Sequence, residues 1–341
     1  MTVFDGVRID KKTCRKKTET PSRWRRPTSR RPVAGNDRYA AMADILKRVF
    51  IGCGIPEYLH PKSNRIYSQH QRIAMLVLGE FIDKSQREFC RTLPSYRGFC
   101  DAIGITNVPH HTAVCKFAKL VDRGTLLKVI GYFGLLCRPG IIVAMDGTGL
   151  SNFDRSGHYE KRLKDFGNNA PRTFTKASIA IDTDTLLVLA CEVSEGNVHD
   201  VRHVGSLLYQ LSANVRDVEY VVADKGYDSE TVHRAVRDTL GAKAVIPARE
   251  NTPKRGASVY RTAGKCRSEM KRRLVKCSTL QRIYQLRALV ECVNSMFKRT
   301  EGSFMRAKLM VSRVNRTLCK MIAHNLRRVF DLGMVRTMME L

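Results

Sequence analysis

Acidic side chains are scarce in this sequence of 341 residues. It holds 32 Asp and Glu against 60 Lys and Arg, so its formal net charge is +28 at pH 7. Such an excess of positive charge is typical of proteins that meet a polyanion, most often the phosphate backbone of a nucleic acid. A hydrophobic fraction of 43% excludes a chain that is disordered throughout and predicts a folded protein.

Long apolar runs are also missing. The longest, from Leu126 to Met145, is interrupted by Lys128, Arg138 and Pro139. It therefore predicts a helix followed by a strand, not a membrane span. The eleven cysteines contain no C-x2-C pair. With no secretory signal pattern, they predict inert thiols in a reducing cytoplasm, with no disulfide framework.

The sequence divides into three parts by composition. Residues 1–35 form a basic, Pro-containing arm that we expect to be flexible, either a nucleic-acid contact or a solvated tail without a role. Residues 36–135 carry apolar residues at helical spacing and predict three to five short helices in a small DNA-binding region. Two alternatives remain there: a helix-turn-helix reader whose second helix begins near His111, and a plain structural bundle.

From residue 136 to residue 341 the apolar pattern changes to that of strands. Two buried strands, Gly140–Asp146 and Val218–Asp224, each end in a carboxylate. The other predicted elements are strands 174–181, 186–192 and 244–246, helices 197–211, 229–240, 279–299 and 311–336, and a basic loop, 249–279. The order β-β-β-α-β-α-β-α matches the mixed sheet of the ribonuclease H fold, in which the two carboxylate-bearing strands are adjacent. We therefore expect an α/β fold with a ribonuclease-H-like mixed β-sheet flanked by helices, preceded by the all-α region and the basic arm.

A third carboxylate lies in the run Tyr284-x2-Arg287-x3-Glu291-x6-Lys298. Steps of 3, 4 and 7 residues place these four side chains on one face of a helix. One interpretation is a metal-binding carboxylate flanked by cations. The alternative is an exposed helix on which Arg287 and Glu291 form an i,i+4 ion pair.

Together, Asp146, Asp224 and Glu291 could form a site for divalent metal. Carboxylates held close together repel one another unless a cation neutralises them. Two Mg²⁺ or Mn²⁺ ions about 3.5–4 Å apart would do so and would support cleavage of a phosphodiester bond. Asp146 would then bridge both ions, while Asp224 and Glu291 would each hold one. Taken singly, either Asp could equally be a turn former at the end of a strand.

At these residues the chain resembles the DDE transposases of bacterial and archaeal insertion sequences, in the branch with the motif Y-x2-R-x3-E-x6-K. All four motif positions match without a gap, and Asp146 stands in the family's Met-Asp-Gly-Thr context. Ala223–Ser229 resembles the motif of the second aspartate. Two further segments, Gly196–Asp200 and Ile246–Asn251, resemble recurring segments of the family. The likeness covers about residues 60–340 and is firmest from 140 to 300.

The resemblance implies DNA transposition by a prokaryotic, cytoplasmic, nucleoid-associated enzyme. Such an enzyme would bind double-stranded DNA at terminal inverted repeats, nick it and join the exposed 3′-OH to target DNA, acting as a homodimer. Arg287 and Lys298 would hold phosphates, and Tyr284 would contact the terminal nucleotide. Only 66 residues, 225–290, separate Asp224 from Glu291, so the β insertion found in some relatives is absent and the use of hairpin ends stays open.

Cations before the third carboxylate suit a clamp on the DNA backbone, because Lys and Arg contacts to phosphate position DNA without reading its sequence. The predicted contacts are Arg249, Lys254, Arg255, Lys271, Arg272 and Arg273. A solvated surface loop is the alternative. Two other functions also remain: a ribonuclease-H-like nuclease or resolvase without strand transfer, and a domesticated DNA-binding protein.

Overall fold

A computed structural model gives the structure of the protein and describes residues 35–152, 162, 165, 174–196, 198–249 and 264–341. The predictions for the N-terminal arm, up to residue 34, and for Lys254 and Arg255 lie outside the described residues. Within those residues, no helix is long and apolar enough to cross a lipid bilayer.

The first described part of the chain is helical, as predicted, but it contains six α-helices where three to five were expected. Two of them have only seven residues and are too short to show a clear apolar period. Ser68 and Gln71 form a reciprocal capping box at the start of α2. The helix predicted near His111 begins there. The helices are α1 Gly35–Gly52, α2 Gln69–Phe81, α3 Gln86–Thr92, α4 Arg97–Ile103, α5 His111–Leu120 and α6 Arg123–Tyr132.

A five-stranded mixed sheet follows, with strand order β3-β2-β1-β4-β5. β1 pairs antiparallel with β2, and β2 pairs antiparallel with β3. β4 lies parallel to β1 on the other side and to β5 beyond it. This arrangement confirms the predicted ribonuclease-H-like sheet with helices on its faces. The strands are β1 Ile141–Ser151, β2 Phe174–Asp182, β3 Val188–Glu195, β4 Val218–Ala223 and β5 Lys243–Val245.

β1 does not end at Asp146, contrary to the prediction. It continues for five residues to Ser151, because β2 pairs with it along this whole length. Its parallel pairing with β4 stops earlier, at Met145 opposite Ala223. Asp146 and Asp224 therefore directly follow the last paired residues of β1 and β4, at the point where the two strands separate.

The helices of this region differ from the prediction at several places. The helix predicted over 197–211 begins only at Val204, after a 3₁₀ turn at Asp200–His203. Segment 249–279 is not a continuous loop, because residues 265–276 form a helix. That helix has a single buried residue, Met270, and so shows no apolar stripe. The helix predicted over 311–336 is divided near Gly333, whose φ is +69°. The helices are α7 Val204–Asn214, α8 Glu230–Leu240, α9 Lys265–Lys276, α10 Ser278–Gln285, α11 Ala288–Thr300, α12 Met310–Asp331 and α13 Val335–Glu340.

The predicted helix 279–299 is also two helices, joined by a tight turn at Leu286 and Arg287. Across the turn the N–H of Leu286 donates to the carbonyl of Ile283 at 3.1 Å, and the N–H of Val290 donates to that of Arg287 at 3.2 Å. These are i to i−3 bonds of the 3₁₀ type, which wind the backbone more tightly than an α-helix. Tyr284 consequently lies on α10, before the turn, while Glu291 lies on α11 after it.

The helix α12 packs against α2, α5 and α6 as well as β3, so the helical region and the sheet share one core. Asn315 on α12 donates to the carbonyls of Ala118 and Val121, at 3.0 and 2.7 Å. Asn325 exchanges two 2.8 Å hydrogen bonds with the backbone of Val188. The described residues from Gly35 to Leu341 accordingly form one compact unit. The functional division at residue 135 stays a prediction.

A buried ion cluster fastens α2 to α12. The carboxylate of Glu80 lies 2.5 Å from Nε of Arg316 and 3.0 Å from Nζ of Lys320, and all three side chains are at least nine-tenths buried. Burial alone would raise the pKa of Glu80, but the two cations outweigh it and hold the pKa below its ordinary value. The carboxylate is therefore ionised and forms part of the packing between the two helices.

Candidate active site

Asp146 lies half-buried where β1 and β4 part. The side-chain amide of Asn294, on α11, donates to its Oδ2 at 3.2 Å. Burial raises the pKa of Asp146, and the charges of Asp200 and Glu291 raise it further; the backbone N–H of Gly147 and the charge of Arg287 act in the opposite direction. Asp146 is thus a partly buried carboxylate near other carboxylates, and a bound cation would stabilise its charged form.

Asp224 follows the last residue of β4 and is exposed. Its Oδ1 accepts a 2.5 Å hydrogen bond from the N–H of Gly226 in the short 3₁₀ turn Lys225–Tyr227. The turn-former interpretation is therefore correct for this residue. It does not compete with a role in the site, because the same turn holds the carboxylate beside the end of the β1–β4 pairing.

Glu291 lies in the first turn of α11 and pairs with Arg287. Its Oε1 is 2.5 Å from Nη1 of Arg287, and its side chain is 54% exposed. The i,i+4 ion pair, the alternative considered from the sequence, is present. Burial would lower the pKa of Arg287, but Glu291, Tyr284 and Asp224 raise it above its ordinary value. Arg287 therefore lies within electrostatic reach of all three predicted carboxylates.

Oxygen donors at this site fit a hard divalent cation, but they do not yet form a ligand set. Among the residues that the structure describes, no three His, Cys, Asp or Glu side chains are close enough to hold an ion together. Near Asp146, Oδ1 of Asn294 is buried without a hydrogen-bond partner among the described residues, and the hydroxyl of Tyr227 lies against Asp200. Since Glu291 is held by Arg287, it would have to leave this cation to reach an ion beside Asp146.

The other members of the predicted helix face lie near the acids. Lys298 is half-buried on α11; burial lowers its pKa, and the charge of Asp146 acts against this. Tyr284 is partly buried, and its carbonyl accepts a 3.0 Å hydrogen bond from the N–H of Arg287. The turn at Leu286 and Arg287 does not move Arg287 and Lys298 away from the carboxylates, because both cations still interact electrostatically with them.

Arg249 contacts the turn after β4, next to Asp224. Its guanidinium donates to the carbonyls of Lys225 and Gly226, at 2.7 and 2.8 Å. Its backbone N–H donates to the carboxylate of Asp228 at 2.7 Å. The guanidinium of Arg267, on α9, donates two hydrogen bonds to the same carboxylate. Arg249 thus braces the loop that carries Asp224, a role that the sequence did not suggest.

Three more predicted DNA contacts lie on α9 and not in a loop. Lys271, Arg272 and Arg273 are all exposed there, and Arg273 pairs with Glu269 at 3.2 Å. Exposed i,i+4 ion pairs of this kind contribute little to stability. Their side chains stay open to a polyanion, and their role as DNA contacts stays a prediction.

Sequence reasoning did not identify Asn294, Tyr227 and Asp200 as members of this site. Asn294 stands three residues after Glu291 and so on the same helix face; this spacing could have identified it from the sequence. Tyr227 and Asp200 stand in segments that resemble family motifs. Their approach to Asp146 depends on how the turns after β4 and β3 pack near β1, which no local pattern reveals.

Comparison with known proteins decides the family. The Transposase DDE domain family matches residues 138–326, more than half of the chain. The chain belongs to this family. DDE transposase domains belong to enzymes that cleave and transfer DNA and generally use divalent metal ions.

A solved structure also resembles the chain. It is the cryo-EM structure of a piggyBac transposase synaptic complex with hairpin DNA, at 12% sequence identity and a TM-score of 0.41. The match covers 89% of this chain and 78% of that one. The family match spans the described strands and α7 to α11, and it ends within α12.

Proposed function

We propose that this protein is the DNA transposase of a prokaryotic insertion sequence. It would bind the terminal inverted repeats of its element, cleave the DNA and join the 3′-OH ends to target DNA. The observation that carries the proposal is the strand register: Met145 pairs with Ala223, so Asp146 and Asp224 are the next residues along the two strands. Glu291 lies close enough to Asp146 to raise its pKa. The family of the chain supports the same activity.

In this proposal Asp146, Asp224 and Glu291 hold two Mg²⁺ or Mn²⁺ ions. When bound, such ions would activate a water or a 3′-hydroxyl and stabilise the leaving oxygen of the phosphodiester. The described residues support this with a half-buried carboxylate within β1, an exposed carboxylate directly after β4, and a third carboxylate on α11. Asn294 would hold Asp146 in orientation through its 3.2 Å hydrogen bond.

Arg287 and Lys298 would hold phosphates of the cleaved end. Both cations lie beside the carboxylates, so a phosphate bound by them would lie next to the reacting bond. Tyr284 would contact the terminal nucleotide. The exposed cations Lys271, Arg272 and Arg273 would add contacts to the DNA backbone that do not depend on sequence. Coordinated cutting of two ends requires at least a homodimer on DNA.

The test uses a labelled duplex taken from the DNA that flanks the reading frame, with a supercoiled plasmid as target and Mg²⁺ as the metal. We expect nicking at the repeat end and covalent joining of the label to plasmid. Asp146→Asn, Asp224→Asn and Glu291→Gln should each abolish cleavage while the duplex still binds. Full Mg²⁺-dependent cleavage by any of these variants would refute the site assignment.

The same assay separates the two alternative functions. Cleavage without any joined product, over a range of target DNAs, would identify a nuclease or resolvase. Sequence-specific binding with no cleavage would identify a domesticated DNA-binding protein.

A further inference from the structure

A cleft lined by basic side chains lies between α3 and the start of α5. Its volume is about 450 Å³, and it is open to solvent. Four of its lining residues are Arg or His, and none of the described residues that line it is acidic. The lining residues are Arg87, Cys90 and Arg91 on α3, and Pro109, His110 and His111 where α5 begins.

The packing of α3 against α5 fixes the shape of this cleft. α3 buries Phe89 and α5 buries Val114 and Phe117, so both helices turn their apolar faces into the core. The thiol of Cys115, on α5, donates to Oε1 of Gln86, at the start of α3, at 2.6 Å. The polar faces of the two helices are thereby held on either side of the cleft.

Arg87 and Arg91 place two like charges on one face of α3. They are four residues apart, and both are exposed. Like charges at this spacing repel each other and destabilise a helix. The one acidic residue of α3, Glu88, is paired with Lys84 at 3.1 Å, and neither arginine has a carboxylate partner within the described part of the chain. An anion bound in the cleft would relieve this repulsion.

α5 continues the basic surface beyond the cleft. It contains no acidic residue, and Thr112, Lys116 and Lys119 are exposed on one of its faces, at steps of 4 and 3 residues. Neither lysine forms an ion pair with another described residue. At 1.5 Å per residue this face is about 10 Å long. It is too long for one small anion and suits a chain of phosphates.

We propose that the α3–α5 cleft binds the sugar–phosphate backbone of DNA and does not read bases. The proposal rests on the proposed function, which makes DNA the partner. A concave surface receives the ridge of a backbone strand, whereas base readout requires an element that enters a groove. Arg87 and Arg91 would each present a guanidinium fork to phosphate oxygens. The cleft would therefore position DNA without specifying its sequence, unlike the helix-turn-helix reader considered from the sequence.

The test measures binding of the full chain to two labelled duplexes by fluorescence anisotropy, with EDTA in place of Mg²⁺ so that the DNA stays intact. One duplex carries the terminal repeat, and the other has the same length and an unrelated sequence. At about 0.1 M salt, Arg87→Gln with Arg91→Gln should weaken binding to both duplexes by the same factor, about tenfold or more. The slope of log K against log salt should fall in magnitude by about 1.8, because each lost phosphate contact removes about 0.9.

A loss confined to the terminal-repeat duplex would show base reading and would overturn the proposal, as would unchanged affinity for both duplexes. Arg87→Lys with Arg91→Lys keeps both charges, so it should keep the salt slope and lose only part of the affinity. Thermal melts verify folding. If the double Gln variant does not fold, Arg91→Gln alone decides: the slope should fall by about 0.9, and an unchanged slope refutes the proposal.

Lys47→Gln with Lys128→Gln is the matched control. Lys47 on α1 and Lys128 on α6 are exposed, and the two helices pack against each other. Neither lysine forms an ion pair with another residue that the structure describes. This variant removes two charges elsewhere on the helical region, so affinity and salt slope should stay as in wild type. An equal loss in the control would show an effect of net charge alone and would contradict the assignment to the cleft.

Wild-type activity separates this proposal from the proposed function. If wild type cleaves and joins the repeat end in Mg²⁺ while the double Gln variant binds both duplexes as wild type does, the cleft is not a DNA contact and the proposed function stands. If wild type binds neither duplex, the proposed function is itself wrong, and the role of the cleft fails with it.

Discussion

Replacing Arg287 with alanine separates the two interpretations of the ion pair that it forms with Glu291. Because the side chain of Glu291 is 54% exposed, the pair is a surface i,i+4 pair. Such pairs stabilise a helix by about 0.3–0.5 kcal/mol. Adding the loss of partly buried side-chain packing, we expect Arg287→Ala to lower the free energy of unfolding by less than about 1 kcal/mol.

The expected effect on strand transfer is larger. A charge-assisted hydrogen bond to a phosphate is worth about 1.5–3 kcal/mol, and losing it in the transition state lowers the rate by about 10- to 100-fold. Urea unfolding gives the first quantity, and joining of a labelled terminal-repeat duplex to plasmid gives the second. Arg336→Ala is the control, because Arg336 forms an exposed i,i+4 pair with Glu340 at 2.7 Å. Unchanged strand transfer by Arg287→Ala, with a stability loss well above that of the control, would refute a role in DNA binding.

Two predictions concern stability. Glu80→Gln leaves Arg316 buried without its carboxylate partner, and Lys320 with only the more distant charge of Glu301. It should cost about 3–5 kcal/mol in urea unfolding. Because the pKa of Glu80 is lowered in the fold, this difference should shrink as the pH falls through the folded-state pKa. Burial lowers the pKa of His324, which contacts the carbonyl of Leu186, to about 4. The unfolded chain therefore binds a proton from pH 6.5 downward while the fold does not, and about 3 kcal/mol of stability should be lost between pH 6.5 and pH 4. His324→Gln should remove most of this pH dependence, and an unaltered slope would contradict the assignment.

The adjacency of Asp146 and Asp224 was predictable from the sequence, because each follows a continuous apolar run that reads as a buried strand. The order of elements then placed those strands next to each other. The end of β1 was not predictable in the same way. Its last five residues, up to Ser151, extend because β2 pairs with them, and pairing between distant segments leaves no mark on the local pattern.

The helices of the basic segment show a second limit. α9 is rich in charge and buries little, so its residues lack the apolar period by which a helix is recognised. The break at Leu286 and Arg287 has no sequence signal either, since neither residue is a helix breaker such as Gly or Pro. Asp200 was visible as part of a family-like segment, but its contact with Gly147 arises from the packing of the turn after β3 against β1.

The burial of α12 has a consequence for how this protein can be divided. A cut after residue 135 would leave α12 with the sheet and remove α2, exposing an apolar surface together with Arg316 and Lys320 deprived of Glu80. Neither fragment would keep a closed core, and the longer one would expose Arg316 and Lys320 without the carboxylate of Glu80 between them. The two halves should therefore be soluble when produced together and should aggregate when produced apart.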